Sequence, residues 1–130
     1  MKRFTLRTLV AAAAASLLAA APAWADINIG VSLSLTGPGS GLGIPMQNQF
    51  KLFPGTIAGE KVNLIVLDDA TDPTKGVQNA KRFVTEDKVD LIIGSAATPV
   101  AGPMAAVAAE SGTVQLAASP VGLPPGQDGW

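Results

Sequence analysis

KVNLIVLDDATDP, residues 61 to 73, passes from one kind of backbone to another in a single short stretch. Its first part, Lys61 to Asp68, carries aliphatic side chains through the centre. A continuous apolar run of that kind fits a strand buried on both faces, as in a parallel sheet. DATDP then turns the chain, and Asp72 followed by Pro73 predicts a helix start. An Asp side chain accepts from the free N–H groups of a first turn, and Pro fits the first helical position because it has no N–H to lose. In the segment that follows, Val77, Ala80 and Val84 share a face with Phe83 beside them. Lys81, Arg82 and Glu86 fall elsewhere and read as a solvated face.

The same alternation extends outward in both directions. Upstream, INIGVSLSL, Ile27 to Leu35, is strand-like, with β-branched and aliphatic residues and no charge. The glycine-rich segment GPGSGLG, Gly37 to Gly43, reads as a loop. Pro45 is expected to open a helix through MQNQFKLF, Pro54 to stop it, and GTIAGE to be a loop. Downstream, VDLIIG, Val89 to Gly94, is a strand. A helix is expected from about Val100 to Glu110, starting at Pro99 or Pro103 and ended by Gly112. TVQLAAS, Thr113 to Ser119, is a further strand. The order β-α-β-α-β-α-β predicts an α/β fold, a doubly wound parallel sheet with helices on both faces. Right-handed crossovers favour the strand order 2-1-3-4. Ligands of such sheets bind beyond the carboxyl ends of the strands, where the winding reverses. That rule brings together the loops Thr36 to Ile44, Ser95 to Pro99, and Ser119 onward.

The first 25 residues read differently. Lys2, Arg3 and Arg7 precede an apolar run of 13 residues, Leu9 to Ala21, which closes in Ala23-Trp24-Ala25. A basic start, a short apolar centre and an A-x-A end are the parts of a secretory signal. The run is short of the roughly 20 residues that span a bilayer. Cleavage after Ala25 would leave Asp26 as the amino terminus of an exported, periplasmic chain. Residues 26–130 carry six basic and ten acidic side chains, which gives no electrostatic footprint for nucleic acid. The chain contains neither cysteine nor histidine. A disulfide framework, a Ser-His-Asp triad, a Cys-His pair and a histidine- or thiolate-ligated zinc site are therefore excluded within it.

A glycine-rich loop after a first strand raises the question of a phosphate cradle. The dinucleotide fingerprint G-x-G-x-x-G/A fails in every register, because the third position is Leu42, Ile44 or Met46. No Gly-Lys-Ser/Thr of a P-loop occurs. Asp68 and Asp69 suggest an acid–base pair, but neighbouring strand residues point to opposite faces. A polar turn with a helix cap is the simpler reading of DDATDP. No metal site and no cofactor are expected, and no enzyme activity. The crevice offers hydroxyls and backbone instead. Ser95, Thr98 and Ser119 lie at carboxyl ends of strands, Thr98 also just before a helix whose free N–H groups and dipole attract a carboxylate. Ala96, Ala97, Ala117 and Ala118 are small enough to let a ligand reach the main chain.

INIGVSLSLTGPGSGLG, the stretch from Ala58 to Pro99 with its DDATDP turn and VDLIIGS, and LAAS together resemble the amino-terminal lobe of a periplasmic solute-binding protein. The type is that of the leucine/isoleucine/valine-binding components of ABC importers. The resemblance covers residues 26–130 and implies the type I fold of two α/β lobes closing on a solute. It implies solute contacts from the Thr98 hydroxyl, the Ala117 backbone and the Ser119 hydroxyl. Leu42 stands where branched-chain amino acid binders often carry an aromatic residue, and LGIPMQNQF looks closer to members associated with aromatic acids or other carboxylates. The implied partners are an amino acid or similar small carboxylate and a membrane permease. A ligand-sensing lobe of a receptor is the alternative that the same fold serves. Since family members are several times longer, the resemblance also implies that a second lobe is absent from this sequence.

Overall fold

The computed structural model describes residues 26–122, so the expected signal segment, residues 1–25, and the Pro/Gly-rich end, residues 123–130, lie outside the described residues. Five strands form one sheet: β1 (Ile27–Leu33), β2 (Thr56–Ile57), β3 (Glu60–Asp68), β4 (Leu91–Gly94) and β5 (Val114–Leu116). Their spatial order is β2-β3-β1-β4-β5. The β3, β1, β4 and β5 pairings are all parallel, which is the expected order 2-1-3-4. One strand was not expected. GTIAGE is not a plain loop, since Thr56 and Ile57 pair antiparallel with Lys61 and Glu60. Ala58 and Gly59 both take positive φ, 52° and 91°, as a two-residue hairpin turn requires. The sheet is thus mixed, with a short antiparallel edge.

Three helices cover the sheet: α1 (Ser40–Phe50), α2 (Pro73–Thr85) and α3 (Thr98–Ser111). The faces sort by strand alternation. Ile29, Val31, Leu33 and Val62 turn to one face, with Met46 and Phe50 of α1 and Phe53 packed on them. On the other face, Ala80 and Phe83 of α2 meet Ile92, and Val100, Met104 and Ala108 of α3. β1 is central, and every residue from Ile29 to Ser34 is buried. Phe83, fully buried, lies flat against Gly30, leaving no room for a β-carbon there.

The helix starts differ in how closely they follow the sequence reading. α2 begins as expected: Pro73 is in its first turn, and the Asp72 side chain accepts from Thr74 N at 2.7 Å. Gly112 ends α3 in the left-handed conformation at φ 71°, again as expected. Pro45 does not open α1; it sits inside a helix that already starts at Ser40, so the second half of GPGSGLG is helical. The cause is close packing. Gly43 lies directly on the Ser34 backbone, where any β-carbon would collide. Pro103 likewise sits inside α3, which starts at Thr98. The strand expected over Thr113–Ser119 is confined to Val114–Leu116, so Ala117 to Ser119 belong to the following loop.

Candidate functional site

The carboxyl ends of β1, β4 and β5 lie side by side. Ser32 pairs with Gly94, and Ile93 with Leu116, so the chain leaves these strands at one edge of the sheet. The winding reverses between β1 and β4, because α1 covers one face while α2 and α3 cover the other. The loops after β4 and β5 are joined directly. Ser119 Oγ donates to the Ser95 carbonyl at 3.1 Å. Ser95 is fully buried, and its hydroxyl accepts from Ala97 N at 3.2 Å. From β5, Gln115 Nε2 donates to Gly94 O at 2.8 Å and Ala101 O at 3.3 Å, tying the end of β4 to the first turns of α3.

At the head of α3, Ala97 is the cap and supplies no side-chain hydrogen bond. Val100 and Ala101 both donate to Ala97 O, and Pro99 has no N–H. That leaves the Thr98 N–H and hydroxyl as donors at the helix start, where the dipole favours an anion. Thr98 stands in the first turn itself rather than before it, and its side chain is exposed. Ala117 and Ala118 are exposed and Ala96 half-buried, whereas Ala97 is buried. Leu42 is on the first turn of α1 and 58% exposed, an apolar side chain facing water on the wall after β1. The structure therefore brings Ser95, Ala96, Ala97 and Thr98 together with Ser119 through a direct hydrogen bond. Leu42 is held by a separate element.

The two neighbouring acids are held in separate hydrogen-bond networks. Asp68 ends β3, and its Oδ1 accepts from Leu35 N, Thr36 N and Ala70 N while Oδ2 accepts from the Thr36 hydroxyl at 2.6 Å. Burial works against its charge, but these bonds, the Thr36 hydroxyl foremost, outweigh it and hold the carboxyl below its ordinary value of 3.8. Asp69 is fully buried and accepts from the Ser32 and Ser34 hydroxyls and from Thr71 N. Asn79 of α2 donates to Ser32 Oγ at 3.1 Å and extends the same network. The acids thus fasten the end of β1 to the end of β3. Ser32, Ser34, Thr71 and Gln115 were not singled out from the sequence. The signal for the serines was there: they alternate in VSLSL, so two hydroxyls share one face of an otherwise apolar strand.

A mixed sheet of mostly parallel strands, helices on both faces and a polar, backbone-rich edge at the winding reversal together define one lobe of a solute-binding fold. The family comparison agrees: residues 26–129 match the periplasmic binding protein model, and the chain belongs to that family. A Leu/Ile/Val-binding protein of Rhizobium johnstonii is 38% identical over 118 residues, 86% of this chain and 32% of the relative. The solved structure of Rp1789 from Rhodopseudomonas palustris superposes with a TM-score of 0.75 at 40% identity, covering 78% of this chain and 28% of that one. An ABC-transporter solute-binding protein of Rhodopseudomonas palustris in complex with 3,4-dihydroxybenzoic acid gives a TM-score of 0.66 at 25% identity, covering 75% and 28%. This chain therefore spans about a third or less of the length of these relatives.

Proposed function

We propose that this chain is the amino-terminal lobe of an exported solute-binding component of an ABC importer. It takes a small carboxylate at the crevice formed by the loops after β1, β4 and β5. The observation that carries this reading is the head of α3. The Thr98 N–H and hydroxyl stand there beside the Ser95–Ser119 junction, with backbone accessible at Ala117 and Ala118. A solute carboxylate at that point would meet the positive end of the helix dipole and the Thr98 hydroxyl, the Ser119 proton being given to the Ser95 carbonyl. Leu42 supplies an apolar surface for the remainder of the solute. A second lobe closes over the solute, excludes water and presents it to a membrane permease. The solute classes to test are those named for relatives, branched-chain amino acids and hydroxylated benzoates.

Isothermal titration tests this reading on the chain alone and fused to the remainder of the 40%-identical Rhodopseudomonas palustris protein. Leucine, isoleucine, benzoate and 3,4-dihydroxybenzoate are the titrants. The fused form should bind one of them saturably, and the lone lobe more weakly. Absence of heat for all four in the fused form would overturn the carboxylate reading. Mass spectrometry of the exported protein should give an amino terminus at Asp26, and an intact Met1 would overturn the export reading.

A further inference from the structure

Thr71 has a backbone that its side chain disfavours. Its φ is 61°, and the preceding Ala70 has φ 52°. Left-handed backbone is disfavoured for an L-residue because its β-carbon crowds the following carbonyl, and a β-branched residue there is an outlier. Gly or Asn would suit the conformation better. The conformation is held from beneath by the two acids: Asp68 Oδ1 accepts from Ala70 N at 2.8 Å, and Asp69 Oδ1 from Thr71 N at 2.9 Å. What Thr supplies and Gly lacks is a hydroxyl aimed across to the other loop. Thr71 Oγ1 accepts from Gly39 N at 2.9 Å and donates to Thr36 O at 3.4 Å. Gly39 is the cap of α1 and has no side chain of its own to fix it. Beside it, Gly37 rests on the Ala70 carbonyl.

We infer that Thr71 is a positioning residue, whose hydroxyl sets the Thr36–Gly39 segment and so the first turn of α1, with Leu42, as a wall of the solute crevice. The wall's part in solute capture rests on the function proposed above; the positioning itself does not. The pair Thr71→Ser and Thr71→Ala tests it, because the two variants differ by one oxygen. Amide exchange, followed by NMR on the full-length chain, needs no solute. Gly39 N–H should stay protected with Ser and exchange about tenfold faster with Ala, the effect of losing one ordinary hydrogen bond. Amides of Phe83 and Val100, in the core on the far face, should be unchanged in both. Titration of leucine, isoleucine, benzoate and 3,4-dihydroxybenzoate into the fused protein should then give weaker binding for Ala than for Ser with the one it takes up. Equal Gly39 exchange in the two variants, or acceleration spread equally to Phe83 and Val100, would overturn the inference. If the unsubstituted fused protein takes up none of leucine, isoleucine, benzoate and 3,4-dihydroxybenzoate, the capture reading fails while the Gly39 exchange still decides the positioning.

Discussion

The Ser34 hydroxyl donates to Asp69 Oδ1 at 2.6 Å, with both side chains fully buried and 35 residues apart in the chain. Ser32 reaches the other oxygen at 3.2 Å. A carboxylate so placed, just past the end of β3, is the shared acceptor of two hydroxyls at the end of β1. Asp69→Ala strands both buried hydroxyls and removes the partner of the half-buried Thr71 N–H, and should cost about 3 kcal/mol in urea unfolding. Asp69→Asn retains one acceptor oxygen and should cost less. Equal stability of Asp69→Ala and the unsubstituted chain would refute the shared-acceptor role.

Two glycines in one segment should respond in opposite directions. A β-carbon on Gly43 collides with the Ser34 backbone, which cannot move aside as a side-chain end could. Gly41 faces open space in the same helix. Gly43→Ala should destabilise by about 2 kcal/mol or more through overpacking. Gly41→Ala should stabilise by about 0.5–1 kcal/mol by restricting the unfolded chain. Thermal midpoints of the two variants check both signs, and a shift in the same direction would contradict the packing of α1 on β1.

Acid should loosen the junction of β1 and β3 first. The Asp68 carboxyl is held below its ordinary value of 3.8, so the unfolded chain takes up its proton at higher pH than the folded one. The stabilisation is therefore fully present above the ordinary carboxyl range and is lost as pH falls through the lowered folded value. Asp68→Asn should flatten this part of the acid limb in a stability–pH profile taken from neutral pH downward. An unchanged slope would show that Asp68 is not linked to folding.

On the proposed function, substitutions at Thr98 and Ser119 should separate solute contact from structure. The Thr98 side chain is exposed, so Thr98→Val should leave the thermal midpoint nearly unchanged. Loss of one hydrogen bond to a charged solute should weaken binding about tenfold or more. Ser119→Ala also frees the Ser95 carbonyl, so it should lower both affinity and the stability of the loop after β5. Titration of the fused protein alongside melting curves distinguishes them. Full affinity in Thr98→Val would remove Thr98 from the site.

The parallel core was readable because its physics is local to each segment. The apolar run of β3, the Asp72-Pro73 helix start and the left-handed stop at Gly112 each carry their own signal. The errors fall where distant parts of the chain decide. Pro45 is a fair helix opener by itself, yet α1 begins earlier because Gly43 fits against Ser34 and Gly39 is held by Thr71. β2 needs its partner β3 to exist at all, and two residues leave no period to read. In the candidate site, the sequence places Ser95, Thr98 and Ser119 near the ends of strands, but their mutual arrangement depends on Gln115 reaching Gly94 and Ala101 from another strand. A lone Gln in TVQL carries no mark of that reach.

Phe83 lying on Gly30 gives the folded chain a built-in magnetic reporter. The Gly30 hydrogen that takes the place of a side chain faces the aromatic ring, with ring carbons within 3 Å of where a β-carbon would stand. Circulating ring electrons shield a proton held over the face, so one of the two Gly30 Hα resonances should move well upfield of the other. Because β1 and α2 supply the two halves of the contact, that splitting reads their association directly in a one-dimensional spectrum. It would follow the seating of α2 on the central strand without any label, solute or second lobe.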